Sequence, residues 1–164
     1  MNRIFSVRGF SLGVCLVSVL AVLGSASSAR AQLKQGKYIT QASTRLAKLV
    51  DAGNADGFSL HNNSFSLGGG WLKKSEKWIP IYSVNLTAGK KYRFLASGDD
   101  DAKDVDLRIM DANGAQVAID ESTAADAVVN FTPKTSGKYT VQIRLYASNM
   151  DFDAVCISAM MVAK

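Results

Sequence analysis

Two periods of apolar spacing divide the chain. Between Leu33 and Gly53, Ile39, Ala42, Leu46, Leu49 and Val50 recur at three and four residues, while Lys37, Arg45 and Lys48 fall mainly off that stripe. One amphipathic helix over about Tyr38 to Ala52 is predicted, stopped near Gly53 and packed on the downstream part of the chain. From Gly57 the period becomes two. Tyr82, Val84 and Leu86 alternate with polar neighbours, as do Val105, Leu107 and Ile109, and Tyr139, Val141, Ile143 and Leu145. Tyr92, Phe94 and Ala96 keep the same rhythm, with shorter repeats at Val117/Ile119 and Val129/Phe131. Such alternation reads as strands with one buried and one wet face, which places Asp106 on the wet face beside Leu107. Thr87-Ala88-Gly89-Lys90, Asp111-Ala112-Asn113-Gly114 and Thr135-Ser136-Gly137 supply turns, and Asn113-Gly114 suits a tight hairpin. Ala154 to Ala163 is apolar on both parities and reads as a buried strand. Gly57 to Gly70 is expected to hold one or two short strands with a glycine-rich hinge. The predicted fold class is mainly β: an antiparallel, jelly-roll-like β-sandwich of seven or eight strands with one N-terminal amphipathic helix.

The first residues obey another logic. Arg3 and Arg8 precede an apolar run from Phe10 to Leu23, then small residues and Ala29-Arg30-Ala31. That is the layout of a secretory signal peptide cut after Ala31. The run is shorter than the roughly 20 residues a spanning helix needs. Val14 before Cys15 does not make a lipoprotein signal. The expected organisation is a signal over 1–31, the helix within 32–56 and the sandwich over 57–164. The protein is then exported, periplasmic or secreted, and does not span a membrane after cleavage. Cys156 would be the single remaining thiol, unable to close a disulfide within the chain and expected to be buried and inert.

Charge changes the range of partners. The chain of 164 residues carries 19 Lys and Arg against 14 Asp and Glu, a formal +5. Residues 1–31 hold three arginines and no acid, so removing them leaves +2. That +2 is uneven, with ten basic and three acidic residues over 32–95, and six basic and eleven acidic over 96–164. A dipolar, exported chain argues against nucleic acid. It suits instead a cation, a polysaccharide or envelope partner, or weak salt-sensitive self-association.

From Tyr82 onward the chain resembles the bacterial pre-peptidase C-terminal domain. The matching pieces are Leu86–Tyr92, Asp104–Ile109, Asp111–Gly114, Val117–Asp120, Val129–Pro133 and Ser136–Val141, in the same order and spacing. The resemblance covers about 78–164 and implies a sandwich without catalytic residues of its own. The residues from Gln32 to Ile81 are too few for a peptidase, so a stand-alone secreted form is expected.

Three constellations are candidates for chemistry. Asp99, Asp100, Asp101, Asp104 and Asp106 lie close together, with Asp120 and Glu121 on a neighbouring hairpin. Grouped hard oxygens suit Ca²⁺, with Asp99, Asp101, Asp104, Asp106 and Asp120 as ligands, although the spacing is not an EF-hand. A solvated acidic loop with aspartates capping turns is the alternative. Second, Trp71 and Trp78 lie among Lys73, Lys74 and Lys77, and Tyr92 among Lys90, Lys91 and Arg93; Trp71, Trp78, Lys73 and Lys74 are the candidate ligand-binding set for an anionic glycan. Third, His61 is the single histidine, so no zinc cluster forms. Beyond the leader over 1–31, which holds the spacing once at Gly9–Gly13, the chain has no G-x-S-x-G elbow, P-loop or dinucleotide fingerprint. The sequence therefore reads as non-catalytic: an exported binding or accessory module, alternatively a Ca²⁺-stabilised polysaccharide- or envelope-binding one. A hydrolase with an unrecognised site is the third reading.

Overall fold

A computed structural model describes residues 20–60 and 66–164, with side chains from Gly36 onward. Helix α1 spans Leu20–Ala55. Nine strands come after it: β1 (Phe58–Leu60), β2 (Leu67–Leu72), β3 (Ile79–Leu86), β4 (Tyr92–Gly98), β5 (Ala102–Met110), β6 (Gln116–Asp120), β7 (Asp126–Phe131), β8 (Gly137–Ser148) and β9 (Ala154–Ala163). They form two antiparallel sheets. Sheet A is ordered β1-β9-β4-β7, with β2 also paired along β9, and sheet B is ordered β3-β8-β5-β6. Among the described residues the protein is mainly β with one α-helix, as the alternation indicated. The glycine run is not a hinge: Gly68, Gly69 and Gly70 lie inside β2 and pair with Ser158, Ile157 and Cys156.

The main core lies between the sheets. Tyr92, Phe94 and Ala96 of β4 and Ala127 and Val129 of β7 meet Leu107 and Ile109 of β5 and Val141, Ile143 and Leu145 of β8. Gly68 lies on this inner face, where a Cβ would stand 2.3 Å from Ile81 Cγ2, so glycine permits the close approach of β2 to β3. The outer face of sheet A has a second core. There Leu46, Leu49 and Val50 of α1 pack on Leu95, Ala159, Met161 and Ile157. Two polar ties fix the helix over β4: Ser97 Oγ donates to the Ala42 carbonyl (2.9 Å), and Arg93 pairs with Asp56 (2.6 Å). The resulting order is helix on sheet on sheet. It explains why β4 and β9 are buried on both faces.

The helix begins well before Tyr38 because residues 20–37 are rich in Ala, Leu, Gln and Lys and contain no proline, so nothing halts the backbone. The apolar stripe marks where α1 packs, not where it starts. Asp106 departs from expectation too: it is buried, not wet, because it is paired with Arg144 (2.7 Å), whose guanidinium lies beneath aromatic rings on the outer face of sheet B.

Along the stripe, Leu46 is 5% exposed but Ile39 is 54% exposed. Leu46→Ala is expected to cost about 2–4 kcal/mol of stability. Ile39→Ala is expected to cost less than about 1 kcal/mol. Urea unfolding followed by circular dichroism measures both.

Candidate functional site

Asp99, Asp100 and Asp101 form the turn from β4 into β5, and each is used differently. Asp99 is fully buried. Its Oδ2 accepts the N–H of Val155 (2.7 Å) and its Oδ1 accepts the N–H of Asp101 (2.9 Å). Its own N–H donates to the Val155 carbonyl (2.9 Å). The carboxylate thus clamps the turn to the first residues of β9. Asp100 is exposed and reaches α1, with Arg45 at 3.1 Å and an amide donor in Gln41. Asn149 completes the assembly: its side chain donates to the Asp100 carbonyl (3.1 Å) and its N–H to the Asp101 carbonyl (2.8 Å).

Asp104, Asp106 and Asp120 lie apart from that clamp. Arg144 holds Asp106 at 2.7 Å and Glu121 at 3.2 Å. Asp120 accepts the N–H of Ser122 (2.9 Å) through one oxygen and that of Val128 (2.7 Å) through the other. The second bond caps a backbone donor of β7, the outermost strand on that side of sheet A. Asp104 is buried, and its Oδ1 has no hydrogen-bond partner. Among the described residues, no three Asp, Glu, Cys or His side chains gather as a set of metal ligands. Of the five candidate ligands, Asp99 forms the turn clamp with the Asp101 N–H, Asp106 pairs with Arg144, Asp120 caps an edge, and Asp104 is buried beside them. This use resembles turn-capping aspartates more than a shared ion site.

Burial sets the protonation of these groups. Desolvation raises the carboxyl pKa of Asp99, against the pull of its amide donors. It raises Asp104, which is pushed further by Asp106 and held back by Arg144. Asp106 and Asp126 are also raised by desolvation first, each opposed by nearby cations. Burial lifts the Cys156 thiol to about 12, which makes it a poor nucleophile.

The two tryptophans do not share a face. Trp71 lies on the outer side of sheet A, edge-on to Tyr38 of α1 (ring centroids 5.4 Å apart), with its indole N–H donating to Asp153 (3.3 Å). Trp78 lies over sheet B, with Arg108 and Arg144 at 4.3 and 4.6 Å from its ring centre. Lys73 and Lys74 are exposed beside Trp71, and Lys74 pairs with Asp151 (2.5 Å). Tyr92 is in the core, and Lys90 and Lys91 lie at the opposite end of sheet A. His61 falls outside the described residues.

No protein-family model matches the chain, and no curated protein matches it in sequence. The site is therefore argued from its geometry.

What sequence reasoning missed is an exposed apolar end. Ile39, Trp71, Tyr146, Met150 and Phe152 are exposed at the end of the sandwich that carries the acidic turn. Met150 is 81% exposed, and Met150 and Asp151 both have left-handed backbones (φ 45° and 57°), which are uncommon for non-glycine residues. Such conformations persist where surrounding bonds hold them. Here the holders are Asn149 and the Lys74–Asp151 pair.

The acidic residues generate two expectations. Asp99→Ala leaves two amides without acceptors and is expected to cost about 2–4 kcal/mol, whereas exposed Asp100→Ala should cost under about 1 kcal/mol, both read by urea unfolding. The second concerns pH. A carboxyl raised in the folded state takes up its proton more readily folded than unfolded, so its stabilising contribution is present below the usual 3.8 and is lost as pH climbs through the raised value. Asp104→Asn should therefore raise the melting temperature at pH 7 by about 2–4 °C, the shift of about 1 kcal/mol in a domain of this size. That gain should shrink towards pH 4. A variant that melts lower than the parent at pH 7 would show that Arg144 more than compensates the Asp104 charge.

Proposed function

We propose that this protein is a non-catalytic binding or accessory module acting outside the cytoplasm. The observation that carries this reading is the exposed apolar end, where α1 presents Ile39, β2 Trp71, β8 Tyr146, and the β8–β9 connection beside the Asp99 clamp presents Met150 and Phe152. Solvent-facing aromatic and apolar groups on a fixed scaffold are the composition of a recognition surface. Asp99, Asp106 and Asp120 are occupied in holding the fold. The leader pattern ending at Ala31 supports export. The likeness of the chain from Tyr82 onward to the pre-peptidase C-terminal domain supports an accessory role.

A polysaccharide is a second reading, favoured by one feature. Trp71 is 46% exposed and has Lys73 and Lys74 beside it, so an indole face and two ammonium groups could meet an anionic sugar together. Trp78, covered by two guanidiniums on the other sheet, would not join it.

Three results test the proposal. Expression of the full chain in a bacterium should yield a form beginning at Gln32 in the periplasmic or culture fraction. The purified protein passed over anionic and neutral polysaccharide columns tests the second reading: Trp71→Ala should lower retention about fivefold or more if the indole stacks on sugar. Release of reducing ends from any of these polymers, or turnover of an ester substrate, would contradict a non-catalytic role.

A further inference from the structure

We propose that β2 is an open sheet edge that binds an extended acidic–apolar peptide segment of another protein by strand addition. This inference rests on the reading of the protein as a binding module and names its partner class.

Three of the other outer strands are blocked, and β1 is only three residues long. In β3, Pro80 lacks an N–H and the register shifts between Pro80 and Tyr82. In β7, the N–H of Val128 is capped by Asp120. In β6, the strand is short and its pairing shifts between Ile109 and Met110. β2 differs from all three: its sequence, Leu-Gly-Gly-Gly-Trp-Leu, has no charge and no proline. The Met160 N–H donates to the Ser66 carbonyl (3.3 Å). Ladder alternation then turns the backbone groups of Gly68, Gly70 and Leu72 towards β9, and those of Leu67, Gly69 and Trp71 outward. Among the described residues, nothing pairs with these outward groups. Three donors and three acceptors with no side-chain guard make a template for another strand.

An apolar trough adjoins this edge. Ile39, Leu67, Trp71, Val155 and Ile157 wall it and the β2 glycines floor it, enclosing about 460 Å³. Gly69 is central, because Ile157 of β9 occupies the place of its missing side chain (Ile157 Cγ2 would stand 2.8 Å from a Cβ), which leaves the trough open beside Ile157 between Leu67 and Trp71. A residue on an added strand opposite Gly69 would cover the glycine and fill the trough, so a large apolar or aromatic side chain is expected there. Lys73 comes directly after the Trp71–Leu72 end of β2 and favours an acidic residue there, while its neighbour Lys74 is already paired with Asp151. Antiparallel addition places that acid N-terminal to the apolar alternation.

The probe is the capped heptapeptide Glu-Glu-Val-Thr-Phe-Thr-Val, with Phe opposite Gly69, titrated against the purified protein by fluorescence anisotropy. Saturable binding is expected. It should weaken about tenfold or more when the Phe amide is N-methylated, because the hydrogen bond to the Gly69 carbonyl is lost. It should weaken similarly in Ile39→Glu, an exposed helical position whose change leaves the fold intact. Lys73→Glu, and a probe with Lys-Lys in place of Glu-Glu, should weaken it at low salt. Absence of saturation at millimolar probe overturns the proposal, as does equal binding of the N-methylated peptide or equal binding by Ile39→Glu. A dimer in sedimentation equilibrium that Ile39→Glu dissociates would overturn it too, by assigning the edge to a second copy. Retention on polysaccharide without peptide binding would refute strand addition and leave the binding-module reading standing.

Discussion

One buried carboxylate organises an end of this molecule. Asp99 loses its water entirely, a cost that is offset only because two backbone amides, on Val155 and Asp101, point at its oxygens. Those two bonds determine where β5 can begin relative to β9. Asp100 and Asp101 then inherit fixed positions. Through the first, the turn reaches Gln41 and Arg45 of the helix; through the carbonyls of both, it holds Asn149 and the strained Met150–Asp151 backbone. Met150 and Phe152 are exposed on the loop held in this way.

The rest of the fold answers a different constraint, the covering of two sheet faces. Sheet A solves it with α1, which places Leu46 over Leu95, Ala159 and Met161. Sheet B has no helix and solves it with flat groups: Trp78 and Tyr146 lie against the guanidiniums of Arg108 and Arg144, and Arg144 neutralises Asp106 below. The helix cover is incomplete at Ile39, where the β2 glycines provide nothing to pack against. The trough is the consequence of a helical stripe that extends past the side chains it was built to meet.

Period-two alternation made most strands legible, because inward positions such as Leu107, Ile109, Val141 and Ile143 face one shared core. Apolar residues on both parities of Ala154–Ala163 already implied a second cover over that strand. Other features were hidden for definite reasons. Glycine carries no polarity signal, so β2 read as a hinge although its backbone pairs fully with β9. Trp71 and Trp78 are near in sequence, but the chain crosses from sheet A to sheet B between them. The acidic run looked like one site because a run of charge does not show where a turn ends: Asp99, Asp100 and Asp101 belong to the β4–β5 turn, Asp104 and Asp106 to β5. A turn then bends Asp99 inward and Asp100 outward.

Native-state hydrogen exchange at the Val155 amide tests the Asp99 clamp most directly. If the carboxylate holds β9 to the β4–β5 turn, this amide and that of Asp101 exchange only with global unfolding, with the same denaturant dependence as core amides such as Ile143. Exchange at Val155 through a local opening, insensitive to denaturant and much faster than at Ile143, would contradict the clamp and the fixed recognition end built upon it.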